Sequence, residues 1–187
     1  MPRQVDHAAR LAAIGDAVLA IAAEQGFGAV TIRAVAEHIG TSTTAATHYV
    51  NNRDDLLRTA IGREIADRRA QAEDAVGTAH GAAGLRALIE WAVLEPSAHA
   101  HRVWLALVVG AHAEPVLRTE LDSFNAWWDQ RVHTLLTESG AAGSAAVIDL
   151  LDAVADGLVV TAFDEGHPWP PARRKRVLTL LWQTLGL

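Results

Sequence analysis

Side chains that could bind a nucleic acid are concentrated between residues 31 and 50. On a helical wheel for residues 42–50, Ala46 and Val50 lie together and should face a core, whereas the opposite side is small and polar. That outward side carries Thr44, Ala45 and His48, with Thr43 and Thr47 beside them. Because hydroxyl and imidazole groups donate and accept hydrogen bonds, this surface could approach a groove closely and bind the acceptors exposed there.

Arg33 is the only long basic side chain in the first turn of the preceding helical segment. A guanidinium can bind both major-groove acceptors of guanine, so Arg33 is the candidate for direct base recognition. An ion pair with Glu37, one helical turn further on, is the competing interpretation of the same side chain. The sequence alone leaves these two alternatives open.

The remaining reactive residue types predict neither a catalytic site nor a metal site. His99 and His101 point in different directions on a helix, and His112 and Glu114 lie too far along the chain to complete one zinc site. The sequence has no cysteine, no paired nucleophile and base, and no glycine-rich phosphate loop. We therefore expect a protein that needs no cofactor or metal and is not an enzyme.

The aromatic composition is unusual, with six tryptophans against one tyrosine. A cluster of such rings could enclose a cation or a flat apolar molecule, although each ring could equally belong to an ordinary core. Asp156 lies in an apolar helical segment, where its carboxylate needs a buried partner, solvent or a ligand. The candidate ligand-binding residues are Trp91, Trp104, Phe124, Trp127, Trp128 and Asp156.

Only helical periodicity is visible, and it predicts an all-α protein of about nine helices. Two short helices over 31–39 and 42–49, separated by Gly40, have the form of a helix-turn-helix, whose second helix enters the DNA major groove. Thr31 can cap the first of them, Thr41 or Ser42 the second, and Asn52 the helix that follows. Another helix is predicted before them over 7–25, and 77–84 is predicted as a loop. The later helices are predicted over 53–76, 85–94, 98–113, 116–138 and 145–163, with a last one ending at 185.

The segment from Gly40 to Leu57, G-T-S-T-T-A-A-T-H-Y-V-N-N-R-D-D-L-L, resembles without a gap the signature of the TetR family of bacterial transcriptional regulators. The preceding T-I-R-A-V-A-E-H-I-G is similar to the second helix of that family. The resemblance implies a helix-turn-helix domain over 1–52 and a C-terminal effector-binding and dimerisation domain over 53–187. The DNA-binding residues that it implies are Thr31, Arg33, Ser42, Thr43, Thr44, Ala45, Thr47, His48, Tyr49 and Arg53.

The sequence departs from the family pattern at Ala46-Thr47, where leucine-tyrosine is usual. The missing tyrosine removes a common phosphate contact, so Tyr49 is expected to take over part of that role. Arg53 stands where the family has a lysine at the start of the fourth helix, and it keeps the positive charge for a phosphate.

The C-terminal segments that begin at His101, Glu114 and Trp127 resemble, more loosely, the ligand domains of choline-responsive BetI-type regulators. This resemblance implies a small-molecule effector without identifying it. The last two predicted helices carry more apolar side chains than one core needs, and the family dimerises through such helices. The candidate dimer-interface residues are Leu151, Leu158, Val159, Leu178, Leu181, Trp182 and Leu185.

Composition limits the kind of DNA binding that is expected. The 187-residue chain has a formal net charge of −6, which argues against nonspecific binding of phosphates. No run of about 18 apolar residues and no signal peptide is present, so we expect a soluble cytoplasmic protein with no membrane partner.

The hypothesis that unites these features is a homodimeric repressor, which binds palindromic double-stranded operator DNA and is released by a small-molecule effector. The alternatives are a helical carrier or enzyme that uses the aromatic cavity without binding an operator, and an activator or a regulator that has lost operator binding. The effector, the operator sequence and the target genes stay open.

Overall fold

The computed structural model describes residues 2–95, 97–140, 145–164 and 167–187, and every regular element in this part of the chain is helical. The all-α class predicted from the sequence is confirmed. The described helices are α1 (Pro2–Gln25), α2 (Ile32–His38), α3 (Thr43–Ala46), α4 (Arg53–Val76), α5 (Gly81–Leu94), α6 (Ala98–Gly110), α7 (Pro115–Glu138), α8 (Ala145–Thr161) and α9 (Pro171–Leu185), and a 3-10 turn over Phe27–Ala29 follows α1. No helix among these residues is long and apolar enough to cross a bilayer.

Helix α5 begins at Gly81, although the sequence predicted a loop over 77–84. The reason lies in packing at Gly84, where a Cβ atom would come within 2.8 Å of the Ala79 carbonyl oxygen and 2.7 Å of Leu135 Cδ2. Glycine is therefore present because neighbouring atoms approach closely, and not because the chain turns. The sequence alone does not show whether a glycine marks a turn or a close contact between neighbouring atoms.

The first of two compact units comprises the residues up to Asp67 together with Arg102–Phe124. Its core is formed by large apolar side chains that are at most 2% exposed, among them Val18, Phe27, Leu57, Ile61, Leu107 and Leu117. Gly110, at the end of α6, allows a close approach: a Cβ there would lie 3.3 Å from Phe27 Cδ2 and 3.0 Å from Leu117 Cδ1. The α6–α7 turn is thus packed directly on the 3-10 turn that follows α1.

The second unit comprises Arg68–His101 and Asn125–Leu187. One apolar cluster forms its core, and α5, α7, α8 and α9 all contribute fully buried side chains to it. Examples are Leu85, Leu88, Ile89, Val132, Leu135, Leu151 and Leu178, each with 0% exposure. Burying one such side chain stabilises a fold by about 1.5–3 kcal/mol, so the second unit has a substantial core of its own.

Candidate nucleic-acid interface and ligand site

The helix-turn-helix is held together by two side-chain caps and one glycine. The Thr31 hydroxyl oxygen accepts a hydrogen bond from Ala34 N at 3.0 Å, and the Ser42 hydroxyl oxygen accepts one from Ala45 N at 3.1 Å. Between the two helices Gly40 adopts φ 67°, a backbone conformation that residues other than glycine rarely adopt. The caps at Thr31 and Ser42 and the break at Gly40 agree with the sequence prediction.

Capping does not remove Thr31 and Ser42 from the candidate interface. Each hydroxyl uses an oxygen lone pair in the cap, so its proton can still be donated to a phosphate. Both residues are exposed. A single hydroxyl can therefore orient a short helix and also bind DNA, which ties the geometry of the interface to the stability of its helices.

Helix α3 presents the face that was predicted from the helical wheel. Ala46 and Val50 are each 2% exposed and lie in the core of the first unit. The outward side chains are exposed at Thr43, Thr44, Thr47 and His48, and Ala45 is half-buried. The α-helix ends at Ala46 rather than near Tyr49, and a tighter turn follows in which Tyr49 N donates to Ala46 O at 3.0 Å.

Two of these residues also make contacts within the protein. The Thr47 hydroxyl donates to the Thr44 carbonyl oxygen at 2.9 Å, so in this rotamer it can only accept a hydrogen bond from a ligand. The half-buried ring of Tyr49 lies 5.1 Å from the ring of His7 on α1. Tyr49 therefore packs against α1, and its role as a substitute phosphate contact stays a prediction.

Arg33 is exposed near the start of α2. Within the described part of the chain its side chain makes no hydrogen bond or ion pair, with Glu37 or with any other residue. Since nothing else engages its guanidinium there, Arg33 keeps its full donor set for a ligand. This environment favours the interpretation of Arg33 as a base contact over that of an intrahelical ion pair.

Arg53, in contrast, is engaged by the protein itself. Its Nη1 and Nη2 atoms donate to the two carboxylate oxygens of Glu114, each at 2.8 Å. Its Nε donates to Val30 O and its Nη2 also donates to Phe27 O, again at 2.8 Å. The ion pair lowers the pKa of Glu114 and raises the pKa of Arg53, because each charge favours the ionised form of the other.

The structure therefore gives Arg53 a role within the protein, and its predicted phosphate contact stays a prediction. The four hydrogen bonds use all but one of the five N–H groups of the guanidinium, so one Nη1 hydrogen is left for a phosphate. We call the set of Arg53, Glu114, Phe27 O and Val30 O the α4 brace. It joins the first turn of α4 to the 3-10 turn and to the turn before α7.

Glu114 is a functional candidate that the sequence did not reveal in this role. In the sequence it stood beside His99, His101 and His112 as a metal-ligand type. In the structure His99 and His112 are exposed and His101 is buried. The described residues form no group of three or more ligating side chains. Its true partner is 61 positions away in the sequence, so no local pattern could have found the pair.

The candidate ligand-binding aromatic residues lie in both units. In the first, Trp104 and Phe124 stack edge to face, with ring centroids 4.8 Å apart. In the second, Trp127 and Trp128 lie 6.3 Å apart, and Trp91 is 7% exposed. These contacts are compatible with core packing as well as with ligand binding, so the assignment stays a prediction.

A second carboxylate, one helical turn before Asp156, contacts one of these rings. Trp128 Nε1 donates to Asp152 Oδ1 at 2.9 Å, and burial raises the pKa of Asp152. Asp156 is an exposed residue, although protein atoms that displace part of its water raise its pKa too. Asp152 is thus the acid that contacts a candidate aromatic side chain, a partnership with no sequence signal.

The second unit also buries three basic side chains that sequence analysis did not single out as a site: Arg68, His101 and Arg174. His101 was considered only as a metal-ligand type. Arg174 lies in the run of basic residues 173–176 at the start of α9, but it is only 7% exposed. On α9 the apolar side chains Leu178 and Leu181 follow it at helical spacing, and this could have indicated an inward-facing position.

The residues predicted to form the dimer interface belong mainly to the core of the second unit. Six of the seven are at most 8% exposed, namely Leu151, Leu158, Val159, Leu178, Leu181 and Trp182, and Leu185 is half-buried. Side chains that are already buried within one chain have little surface to offer a partner. The exposed large apolar side chains of α8 and α9 are instead Leu150, Val160 and Leu180, at 42%, 54% and 63%.

Comparison with known protein families finds a match over the helix-turn-helix. Residues 14–60 match the family described as bacterial regulatory proteins, tetR family. No curated protein sequence matches the chain. The matched segment contains the whole helix-turn-helix described above, with α2, α3 and the first turns of α4.

Solved structures extend the similarity to almost the full length. A transcriptional regulator from Rhodococcus sp. Rha1 has a TM-score of 0.82 at 21% identity, over 94% of this chain and 95% of that one. A TetR family transcription regulator from Marinobacter aquaeolei VT8 has a TM-score of 0.68 at 16% identity, over 98% and 97%. A proposed transcriptional regulator from Saccharomonospora viridis, in complex with choline, has a TM-score of 0.82 at 18% identity, over 94% and 96%.

The resemblance predicted from the sequence is confirmed. The helix-turn-helix segment matches the TetR family, and the chain has the fold of solved TetR-family transcriptional regulators. At these identities the structural similarity shows the fold alone. It does not assign the C-terminal half to the BetI type.

Proposed function

We propose that this protein is a transcriptional repressor that binds a palindromic operator as a homodimer and dissociates when a small-molecule effector binds its C-terminal half. The observation that carries the proposal is the surface of the helix-turn-helix. Threonine hydroxyls and a histidine are exposed on and just after α3, and Arg33 is exposed on α2 within the segment that matches the family. Small polar side chains beside an unengaged arginine suit a major groove.

Dimerisation supplies the affinity and the geometry for such a site. We call the helix-turn-helix domain of each subunit its head. Two heads in consecutive major grooves are about 34–36 Å apart, so a symmetric dimer requires a symmetric operator. A continuous exposed stripe on α8, formed by Leu150, Ala153, Gly157 and Val160, supports a second copy as the partner. The spacing of i, i+3, i+7 and i+10 puts these residues on one face, and the small central pair would let two helices approach closely.

Release would follow from a shift between two arrangements of the dimer. An effector that binds better to one arrangement increases its population, and if the heads of that arrangement do not match the groove spacing, operator affinity falls. The Saccharomonospora relative was solved with choline, which shows that a similar fold accepts a small molecule. The proposal assigns no catalytic role to any residue.

The proposal is tested by selecting bound sequences from random DNA with the purified full-length chain. We expect an inverted repeat to be enriched. The Arg33→Ala variant should lose about 1–3 kcal/mol of discrimination at one base pair in each half-site, because a bidentate contact to guanine is removed.

The matched control is Arg58→Ala, which removes an exposed arginine from α4. It should leave the preferred sequence unchanged. Enrichment of no sequence by the wild-type chain would refute operator binding. A uniform loss of affinity in Arg33→Ala would reassign Arg33 to a phosphate.

A further inference from the structure

Three basic residues are buried near one another in the second unit. Arg68 is 7% exposed, His101 2% and Arg174 7%. Arginine is rarely buried without compensation, because its charge loses hydration that only an anion or several hydrogen bonds can replace. These three residues, which we call the basic cluster, come from α4, α6 and α9.

Their hydrogen bonds converge on the end of α5 and the start of α6. Arg174 Nη1 donates to Val93 O, and His101 Nε2 lies 3.0 Å from Ala92 O. Arg68 Nη2 reaches Ala100 O at 3.4 Å. The acceptors of these three hydrogen bonds are backbone carbonyls, which carry only partial negative charge.

Arg174 is the most informative member of the basic cluster. Its hydrogen bond to Val93 O is the only one that its side chain makes in the described part of the chain, and its buried Nε has no acceptor there. Burial lowers the pKa of Arg174. Burial also lowers the pKa of His101, and the charges of Arg68 and Arg174 lower it further. Burial and these neighbouring charges thus both favour the neutral form of the imidazole.

We propose that the basic cluster binds the carboxylate of an organic effector, with Arg174 as the principal contact. The inference rests on the proposed regulatory function and adds the charge of the effector to it. A guanidinium fork holds a carboxylate through two parallel hydrogen bonds, and this would satisfy the Nε that now lacks an acceptor.

The surroundings of the basic cluster suit an apolar body on that carboxylate. The guanidinium of Arg68 lies 5.8 Å from the ring centroid of Trp91, and the ring of Phe163 meets that of His101 at 6.3 Å. Trp91 is one of the predicted ligand-binding residues. Buried positive charge repels a quaternary ammonium, so this site should bind an anion and not a cation such as choline.

The experiment measures ligand binding to the full-length protein without DNA, by thermal unfolding and calorimetry. The carboxylate probes are acetate, hexanoate, benzoate and indole-3-acetate. Benzamide and choline serve as neutral and cationic controls, and inorganic phosphate as an anion without an apolar body. We expect a carboxylate with an apolar body to raise the unfolding midpoint by about 5–10 °C at a hundredfold excess over its Kd, and the controls to leave it unchanged.

Arg174→Gln should weaken that binding by about 10–100-fold, because a charge-assisted pair of hydrogen bonds is lost. Arg176→Gln, an exposed position on the same helix, should leave it unchanged. If Arg174→Gln does not fold, Arg174→Lys keeps the charge without the fork, and a loss of binding of similar direction is expected.

Two results would overturn the inference: no carboxylate binds the wild-type protein, or carboxylates bind Arg174→Gln as well as wild type. In those cases Arg174 only caps the end of α5. Stabilisation by phosphate alone would contradict an organic effector. A protein that selects an operator but binds no carboxylate would refute this inference and leave the proposed function intact. A protein that binds a carboxylate but selects no operator would refute the regulatory function alone.

Discussion

Two arginines of the helix-turn-helix region differ in what already occupies their hydrogen-bond donors. Arg33 is exposed and unengaged in the described structure, whereas Arg53 donates four hydrogen bonds within the protein. Sequence reasoning gave Arg33 to DNA as the only long basic side chain in the first turn of its helix, and the family resemblance gave it Arg53 in place of a lysine. It could not separate them, since the partner of Arg53 comes from a distant part of the chain.

The α4 brace makes a prediction for Glu114. Glu114→Gln keeps the shape of the side chain but removes its charge, so we expect the free energy of unfolding to fall by about 1–2 kcal/mol. The side chains of the pair are 29% and 25% exposed, and partial screening by solvent keeps the effect below that of a fully buried pair. The measurement is urea unfolding at neutral pH.

The effect should depend on pH in a defined direction. The pKa of Glu114 is lower in the folded protein than in the unfolded chain, so its stabilisation is complete above the ordinary glutamate pKa of about 4.3. It is lost as the pH falls towards the folded-state pKa, and wild type and Glu114→Gln should therefore converge in acid. Asp122→Asn, which breaks an exposed pair with Arg118, is the control and should cost less than about 0.5 kcal/mol. An equal loss in both variants would argue against the brace.

At the scale of helices, the features set by adjacent residues were predictable. Thr31 and Ser42 cap α2 and α3, and Asn52 Oδ1 accepts a hydrogen bond from Asp55 N at 2.8 Å at the start of α4, all as the sequence indicated. The start of α5 was missed because it depends on packing of Gly84 against Leu135, far along the chain. Hydrogen bonds between neighbouring residues can be predicted from a short segment of sequence, whereas close packing between distant residues cannot.

The turn of the helix-turn-helix makes a second prediction. Gly40→Ala meets no atom within 4 Å but must hold φ 67°, so its cost is that of the backbone conformation alone, about 1–2 kcal/mol. Because the turn sets the angle of α3, the variant should also bind operator more weakly. Gly28→Ala, which also meets nothing within 4 Å but has no left-handed φ, should have little effect on either quantity. Thermal unfolding and operator titration measure both, and equal stability of the two variants would refute the strain at Gly40.

For the whole molecule, the sequence indicated which helices carry surplus apolar surface but not which faces of them. On α8 the buried Leu151 and the exposed Leu150 are adjacent, and a count of apolar residues cannot tell which of them faces the core. The same holds on α9 for Leu181 and Leu180. Only the packed second unit shows which side chains remain on the surface.

Leu180→Glu places a charge on the exposed face of α9 and should weaken both dimerisation and operator binding. Val109→Glu is the matched control, since Val109 is even more exposed, at 74% against 63%, but lies on α6 in the first unit. Analytical ultracentrifugation measures the oligomeric state of each variant, and operator titration measures its affinity for DNA. A Leu180→Glu protein that stays dimeric would exclude this face. Leu181→Glu is unsuitable for the test, because a charge at that buried position should unfold the protein.

The composition of the first unit has a consequence for protein engineering. Chimeric regulators are commonly conceived as one head joined to another sensor at the boundary that the sequence predicts, after residue 52. Here a head cut at that point would lack Arg53 and Glu114, and Phe27 would lose its packing against Gly110. A chimera should therefore take both parts of the first unit, residues 1–67 and residues 102–124, from the same protein. Exchange of the N-terminal residues alone should give a protein in which the DNA-binding segment lacks these stabilising contacts.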